Sequence, residues 1–108
     1  MASLSVRLRE RAATDIDDAV NYYLANAGTD VASRFVDAIE RTVNQIGRAP
    51  RSGSLRFAYE LEIPDLRVRP VWRFPHLVFY VVGDDAVDVW RILHSRRDML
   101  SALSEESD

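Results

Sequence analysis

Leu77-Val78-Phe79-Tyr80-Val81-Val82-Gly83-Asp84-Asp85-Ala86-Val87-Asp88-Val89-Trp90-Arg91-Ile92-Leu93-His94 carries the reading that decides the fold. Leu77 to Val82 is apolar on both faces, which suits a strand covered on both sides of its sheet. Gly83-Asp84-Asp85 is a hairpin turn, and Ala86–His94 runs back as the last strand. Upstream, Leu66 to Arg73 alternates and reads as a further strand, with Phe74-Pro75 as the turn that follows it. These segments make a three-stranded antiparallel meander.

Working outward, Ser3 to Arg9 also alternates: Leu4, Val6 and Leu8 point one way, Ser5, Arg7 and Arg9 the other, as in a half-buried strand. From Glu10 the period becomes helical through Ile16, Ala19/Val20, Tyr23 and Ala27, with Asp15, Asp17 and Asp18 near the helix start. Gly28 suits the position just beyond a helix end. Thr29-Asp30 offers a fresh N-cap, and Val31, Phe35, Ile39, Val43 and Ile46 continue the pattern until Gly47 and Pro50 close it. Two helices with almost no loop between them form an αα-hairpin. Between Arg48 and Pro64 the pattern predicts loop, with a short strand near Tyr59–Ile63; Arg96 to Leu103 predicts a short helix capped by Ser95.

The fold class is therefore α+β: an N-terminal strand, an αα-hairpin, the antiparallel meander and a short C-terminal helix. One domain is expected over residues 1–100, with 101–108 as a polar, acidic tail. No apolar run has the length of a signal peptide or a membrane span, so a cytoplasmic location is the default and no membrane partner is expected.

All 14 basic residues are arginine, and there is no cysteine. Cysteine-free chains hold no disulfide, cysteine-ligated zinc, iron–sulfur cluster or catalytic thiol. Without lysine a Walker-type phosphate loop is impossible. The net charge of −3 comes from the tail, since residues 1–104 carry 14 acids and 14 arginines. That balance lacks the basic excess of a general nucleic-acid binder. The charge is uneven, however: residues 48–104 hold nine arginines against seven acids.

On the strand Leu66–Arg73, even spacing puts Arg67, Arg69 and Arg73 on one face, where guanidinium forks suit carboxylates or phosphates. Glu60, Glu62 and Asp65 stand close enough in sequence to pair with them. His94 opens His94-Ser95-Arg96-Arg97-Asp98 at a strand end and is the stronger of the two histidines as an acid or base; His76, beside Pro75, is the weaker. Their spacing shows no metal-binding pattern, and no cofactor or metal is expected. Trp72 and Trp90 read as core or sheet-packing residues. Tyr22 and Tyr23 cannot both face inward, so one is free to meet a partner.

Three runs carry a resemblance: Leu66-Arg67-Val68-Arg69-Pro70-Val71-Trp72-Arg73-Phe74-Pro75, Leu77-Val78-Phe79-Tyr80, and Arg91-Ile92-Leu93-His94-Ser95-Arg96-Arg97-Asp98. Together with Ala12, Asp15-Ile16 and Tyr22-Tyr23 in the first helix, they resemble the ParE branch of the RelE/ParE toxin superfamily, over roughly residues 4–100. The resemblance implies the toxin of a bacterial type II toxin–antitoxin module, one that inhibits DNA gyrase by binding and so blocks replication. It also implies a cognate ParD-like antitoxin that wraps the toxin, with operator DNA met only through that antitoxin. An acidic antitoxin segment suits Arg67, Arg69 and Arg73, and Tyr22, His94, Arg96 and Arg97 are the expected target contacts. The alternative is the RelE branch, ribosome-dependent mRNA endonucleases; there Glu60, Arg73 and His94 would serve as base, phosphate clamp and acid. The sequence lacks the lysines of that branch and its C-terminal tyrosine.

Overall fold

The computed structural model describes residues 3–107. Met1, Ala2 and Asp108, the outer ends of the expected domain and tail, lie outside the described residues. Strand β1 (Ser5–Leu8) leads into helices α1 (Glu10–Asn26) and α2 (Thr29–Arg48). A 3-10 turn (Pro50–Ser52) and a short helix α3 (Arg56–Leu61) follow. Strands β2 (Arg67–Pro70), β3 (His76–Val82) and β4 (Ala86–His94) and the helix α4 (Met99–Ser107) complete the chain.

The sheet order is β1-β4-β3-β2. β1 runs parallel to β4, and the β2-β3-β4 meander is antiparallel as expected. β3 and β4 are central, and each face of the sheet is covered. On one face, α1 and α2 bring Ala12, Phe35, Ile39 and Ile46 against Val78, Tyr80, Val87, Val89 and Ile92. On the other, α3 and α4 bring Phe57, Ala58, Ala102 and Leu103 against Val68, Phe79, Trp90 and Leu93. Complete burial of side chains such as Phe35 and Leu103 stabilises the fold by roughly 1.5–3 kcal/mol each.

A bulge adjusts the faces. Phe79 pairs with Arg91 but Tyr80 pairs with Val89, so β4 carries one extra residue at Trp90. Val89 and Ile92, three apart, consequently reach the same cluster, while Trp90 and Leu93 reach the other.

The helix joint follows the expectation: Gly28 sits just past α1 with φ +95°, and its N–H donates to the Tyr23 carbonyl at 2.9 Å. α2 is capped by Gly28 itself, and Thr29 is already its first residue. Gly47 lies inside α2 instead of ending it. Its lack of a side chain admits the chain just before β1: the Leu4 N–H donates to the Gly47 carbonyl at 2.9 Å, and an added Cβ would stand 3.0 Å from the Leu4 oxygen.

Four further expectations are corrected. The segment Tyr59–Ile63 is helix α3 and its exit, because Phe57, Ala58 and Leu61 share one helical face against the second cluster. Glu62 ends it in the left-handed conformation, φ 54°. β2 stops at Pro70, so Arg73 is not on the strand: residues after Val71 turn back, and Arg73 holds φ 66°. Trp72 is carried out by the same turn and is 55% exposed, not packed on the sheet, whereas Trp90 is buried. Lastly, α4 begins at Met99 and runs on to Ser107, where Arg96–Leu103 and a tail were expected. Asp98, not Ser95, accepts the N–H of Ser101 at its start, 3.2 Å. Ala102 and Leu103 are buried, and Glu105 and Glu106 turn back to pair with Arg11 and Arg9. Amphipathic spacing outweighs the polar composition here.

Candidate functional site

α1, α2 and the β2–β3 turn bring a chain of rings to one end of the sheet. Phe35 of α2 is its buried centre. Phe74 meets it edge-on with centroids 5.2 Å apart, and Tyr23 of α1 lies 5.3 Å away. His76, at the start of β3, is 4.9 Å from Phe35 and stands directly opposite His94 of β4, with ring centroids 5.5 Å apart. Tyr22 extends the chain outward, 5.6 Å from Tyr23. Edge-to-face contacts of this kind hold rings in fixed orientation.

The two histidines differ in a way their sequence positions do not show. His76 is buried and its Nδ1 has no partner among the described residues. Burial, then the neighbouring His94, lowers its pKa to about 4, with Asp15 pulling weakly the other way. It is a neutral packing ring. His94 is exposed, and its Nδ1 accepts the Arg96 N–H at 3.1 Å across the turn that follows β4. Arg96 and Arg97 are exposed on that turn. Of the two tyrosines, Tyr23 packs inward and Tyr22 is 62% exposed. The expected target contacts Tyr22, His94, Arg96 and Arg97 are thus all at the surface, and a continuous line of rings joins Tyr22 to His94 through Tyr23 and His76.

The arginines divide. Arg67 donates to the carbonyls of Arg51 and Gly53, both at 2.8 Å, and so ties β2 to the loop before α3. Arg69 donates to Ser52 Oγ at 2.6 Å and to Gln45 Oε1 at 3.3 Å, linking the same loop to α2. The buried Tyr80 hydroxyl joins this seam: it accepts the Gly53 N–H at 3.0 Å and donates to the Pro50 carbonyl at 2.7 Å. Arg73 has left that face and stacks on Trp72, its guanidinium 4.3 Å from the ring centroid. Arg41 of α2 stacks on the same ring at 4.9 Å. Arg69 and Arg73 still line one groove, together with Arg41 and Trp72; Arg67 does not.

The set Glu60, Arg73 and His94 does not assemble. α3, which carries Glu60, packs on the sheet face of Phe79 and Leu93, while His94 meets His76 on the face of Phe35. Among the described residues, no group of three acidic or histidine side chains could hold a metal ion, and no helix is long and apolar enough to cross a membrane.

Sequence reasoning passed over Trp72 and Arg41 as surface residues and Asp15 as a structural one. Arg34, Ala38 and Arg41 recur at three- and four-residue spacing along α2, which is the signal that could have found the stripe. Asp15, read as a helix-start charge, instead grips Arg91 of β4.

A family model described as "ParE toxin of type II toxin-antitoxin system, parDE" matches residues 6–99. No curated protein matches the chain in sequence. Among solved structures, a chain from "Chromosomal ParDE TA system from P. aeruginosa" is similar in fold, with TM-score 0.72 and 23% identity, over 85% of this chain and 96% of that one. The match from β1 to the first residue of α4 leaves out no strand of the sheet, and the chain belongs to the ParE toxin family of type II toxin–antitoxin systems.

Proposed function

We propose that this toxin stops growth by binding DNA gyrase, and that a cognate ParD-type antitoxin neutralises it by covering part of its surface. Binding, not turnover, is the mode. The observation that carries this reading is the exposure of Tyr22, His94, Arg96 and Arg97, with Tyr22 linked to His94 through the rings of Tyr23 and His76. Exposed tyrosine and arginine side chains suit protein recognition, since Tyr and Arg are enriched among the residues that dominate interface energetics. The separation of Glu60 from His94 by the sheet argues against acid–base cleavage of RNA, which needs both groups within reach of one phosphate. Operator DNA is met only through the antitoxin.

The test is plasmid supercoiling by gyrase with the purified chain added. Inhibition at near-stoichiometric toxin, relieved by the antitoxin, is expected. Full supercoiling at excess toxin, together with mRNA cut in a translating extract, would overturn the proposal.

A further inference from the structure

The run His94-Ser95-Arg96-Arg97-Asp98 folds into a turn that is fastened at both ends. At its entry the Ser95 N–H donates to the Pro75 carbonyl at 2.7 Å, one step beyond the His76–His94 pair of the sheet. The Arg97 N–H donates to the His94 carbonyl at 2.9 Å and closes the turn. Inside it, the His94 ring accepts the Arg96 N–H through Nδ1 at 3.1 Å. That ring is itself held, edge-on to His76, which packs on the buried Phe35. At the exit, Asp98 accepts the Ser101 N–H with its carboxylate at 3.2 Å and the Ala102 N–H with its carbonyl at 3.3 Å, so α4 starts from it.

The first and last side chains of the run therefore bind backbone, and the two arginines between them are left bare. Arg96 and Arg97 are exposed and form no ion pair among the described residues, whereas Arg9, Arg11 and Arg91 all do. Water satisfies an exposed N–H as readily as a side chain does, so stability alone does not call for the His94 and Asp98 bonds. What the bonds fix is the direction in which the turn points.

We infer that His94 and Asp98 are positioning residues, and that the turn they fix presents Arg96 and Arg97 to carboxylates on the surface of the target protein. The inference rests on the gyrase reading and assigns the chemistry of its contact. A guanidinium fork takes a carboxylate through two parallel bonds, a geometry that a wandering turn would lose. Fixing the turn in advance also removes the cost of ordering it on binding. Two arginines against one aspartate leave the run a net charge of +1 with His94 neutral. Duplex binding draws on several neutralised phosphates, which so small a charge does not supply. An acidic patch on a protein asks for no more than these two forks.

Affinity for purified gyrase, without DNA, is measured for the wild type, H94A, H94N, D98A, D98N and R96E/R97E. Asparagine keeps a side-chain acceptor for the same backbone N–H groups but has neither ring nor charge, so it separates positioning from contact. Thermal melts establish that each variant is folded. R96E/R97E is expected to bind at least about 30-fold more weakly. H94A and D98A are expected to lose about 5-fold, and H94N and D98N less than about 2-fold. Amide exchange reads the turn itself: the Arg96 N–H in H94A and the Ser101 N–H in D98A exchange faster, and both keep wild-type rates in the asparagine variants. Wild-type affinity in H94A and D98A, or in R96E/R97E, would overturn the inference and leave gyrase as the target. Asparagine variants as weak as the alanine ones would overturn it too, because ring or charge would then be the contact. Affinity that arises only when plasmid is added, and that R96E/R97E abolishes, would give the turn to phosphates and overturn it. No binding by the wild type, with or without plasmid, would defeat the gyrase reading and the inference with it.

Discussion

Asp15 of α1 holds Arg91 of β4 by both carboxylate oxygens, at 2.8 and 2.9 Å, and takes a third bond from the Ile92 N–H at 2.9 Å. Neither side chain is more than a tenth exposed. The carboxylate bonds raise the Arg91 pKa further above its ordinary value, against the effect of burial. This contact joins the helical hairpin to a central strand at the level of the bulge, and it orients α1 relative to the sheet.

Removing one partner leaves a buried charge alone. Asp15→Ala is expected to cost about 3–5 kcal/mol, read as a lower urea midpoint with little change in slope. The double variant Asp15→Leu with Arg91→Met is expected to recover most of that loss, because no charge is then stranded. Additive losses in the double variant would contradict this account of the pair.

Tyr80→Phe tests the seam between the 3-10 turn and the sheet. The ring packing survives, but the Gly53 N–H loses its acceptor in a buried place. A loss of about 1–3 kcal/mol is expected in chemical denaturation. An unchanged midpoint would mean that water replaces the hydroxyl at no cost.

His76 gives the fold a pH dependence. Its folded pKa of about 4 lies below the unfolded value of 6.5, so the unfolded chain binds the proton more readily. Its contribution is complete above pH 6.5 and is lost as pH falls towards 4, by at most about 3 kcal/mol. His76→Phe keeps an aromatic ring against Phe35 and removes the titration. The difference in stability between the two proteins should therefore change with pH across that window. Parallel curves for the two would refute the assignment.

The last turns of the chain are part of the fold. Leu103→Ala is expected to cost about 2–5 kcal/mol, since Leu103 is completely buried against the second cluster. Glu105→Gln is expected to cost less than about 1 kcal/mol, because its pair with Arg11 is half exposed. Equal effects would show that charge, not burial, holds α4 in place.

Tyr22→Ala and Arg97→Glu address the proposed target surface. Both residues are exposed, so melting temperature should move little. Each is expected to raise the toxin concentration needed to inhibit supercoiling by about 10-fold. Inhibition at wild-type concentrations in both variants would overturn the proposed assignment of this surface.

The αα-hairpin, the β3–β4 hairpin and the α+β class were legible in the chain because they depend on local chemistry: the 3.6-residue apolar stripe through Phe35, the apolar run from Leu77, and glycine at Gly28 and Gly83. Those signals lie within a few residues of one another. The resemblance to the toxin family was likewise carried by contiguous runs. What local pattern could not reach was decided between distant segments. β2 ended at Pro70 and the turn after it carried Trp72 and Arg73 outward, where Arg41 of α2 and Arg73 both stack on Trp72. Arg67 and Arg69 bonded to residues 14 to 24 positions away, leaving the expected arginine face divided. His76 became the buried histidine and His94 the exposed one, because the register set them opposite each other while only His76 lies against Phe35. Sequence alone determined the β1-α1-α2 start and the antiparallel meander, but not α3; the tertiary structure decided which charges are consumed in holding the elements together and which remain for a partner. Burial and pairing are properties of the packed chain, and no stretch of residues carries them by itself.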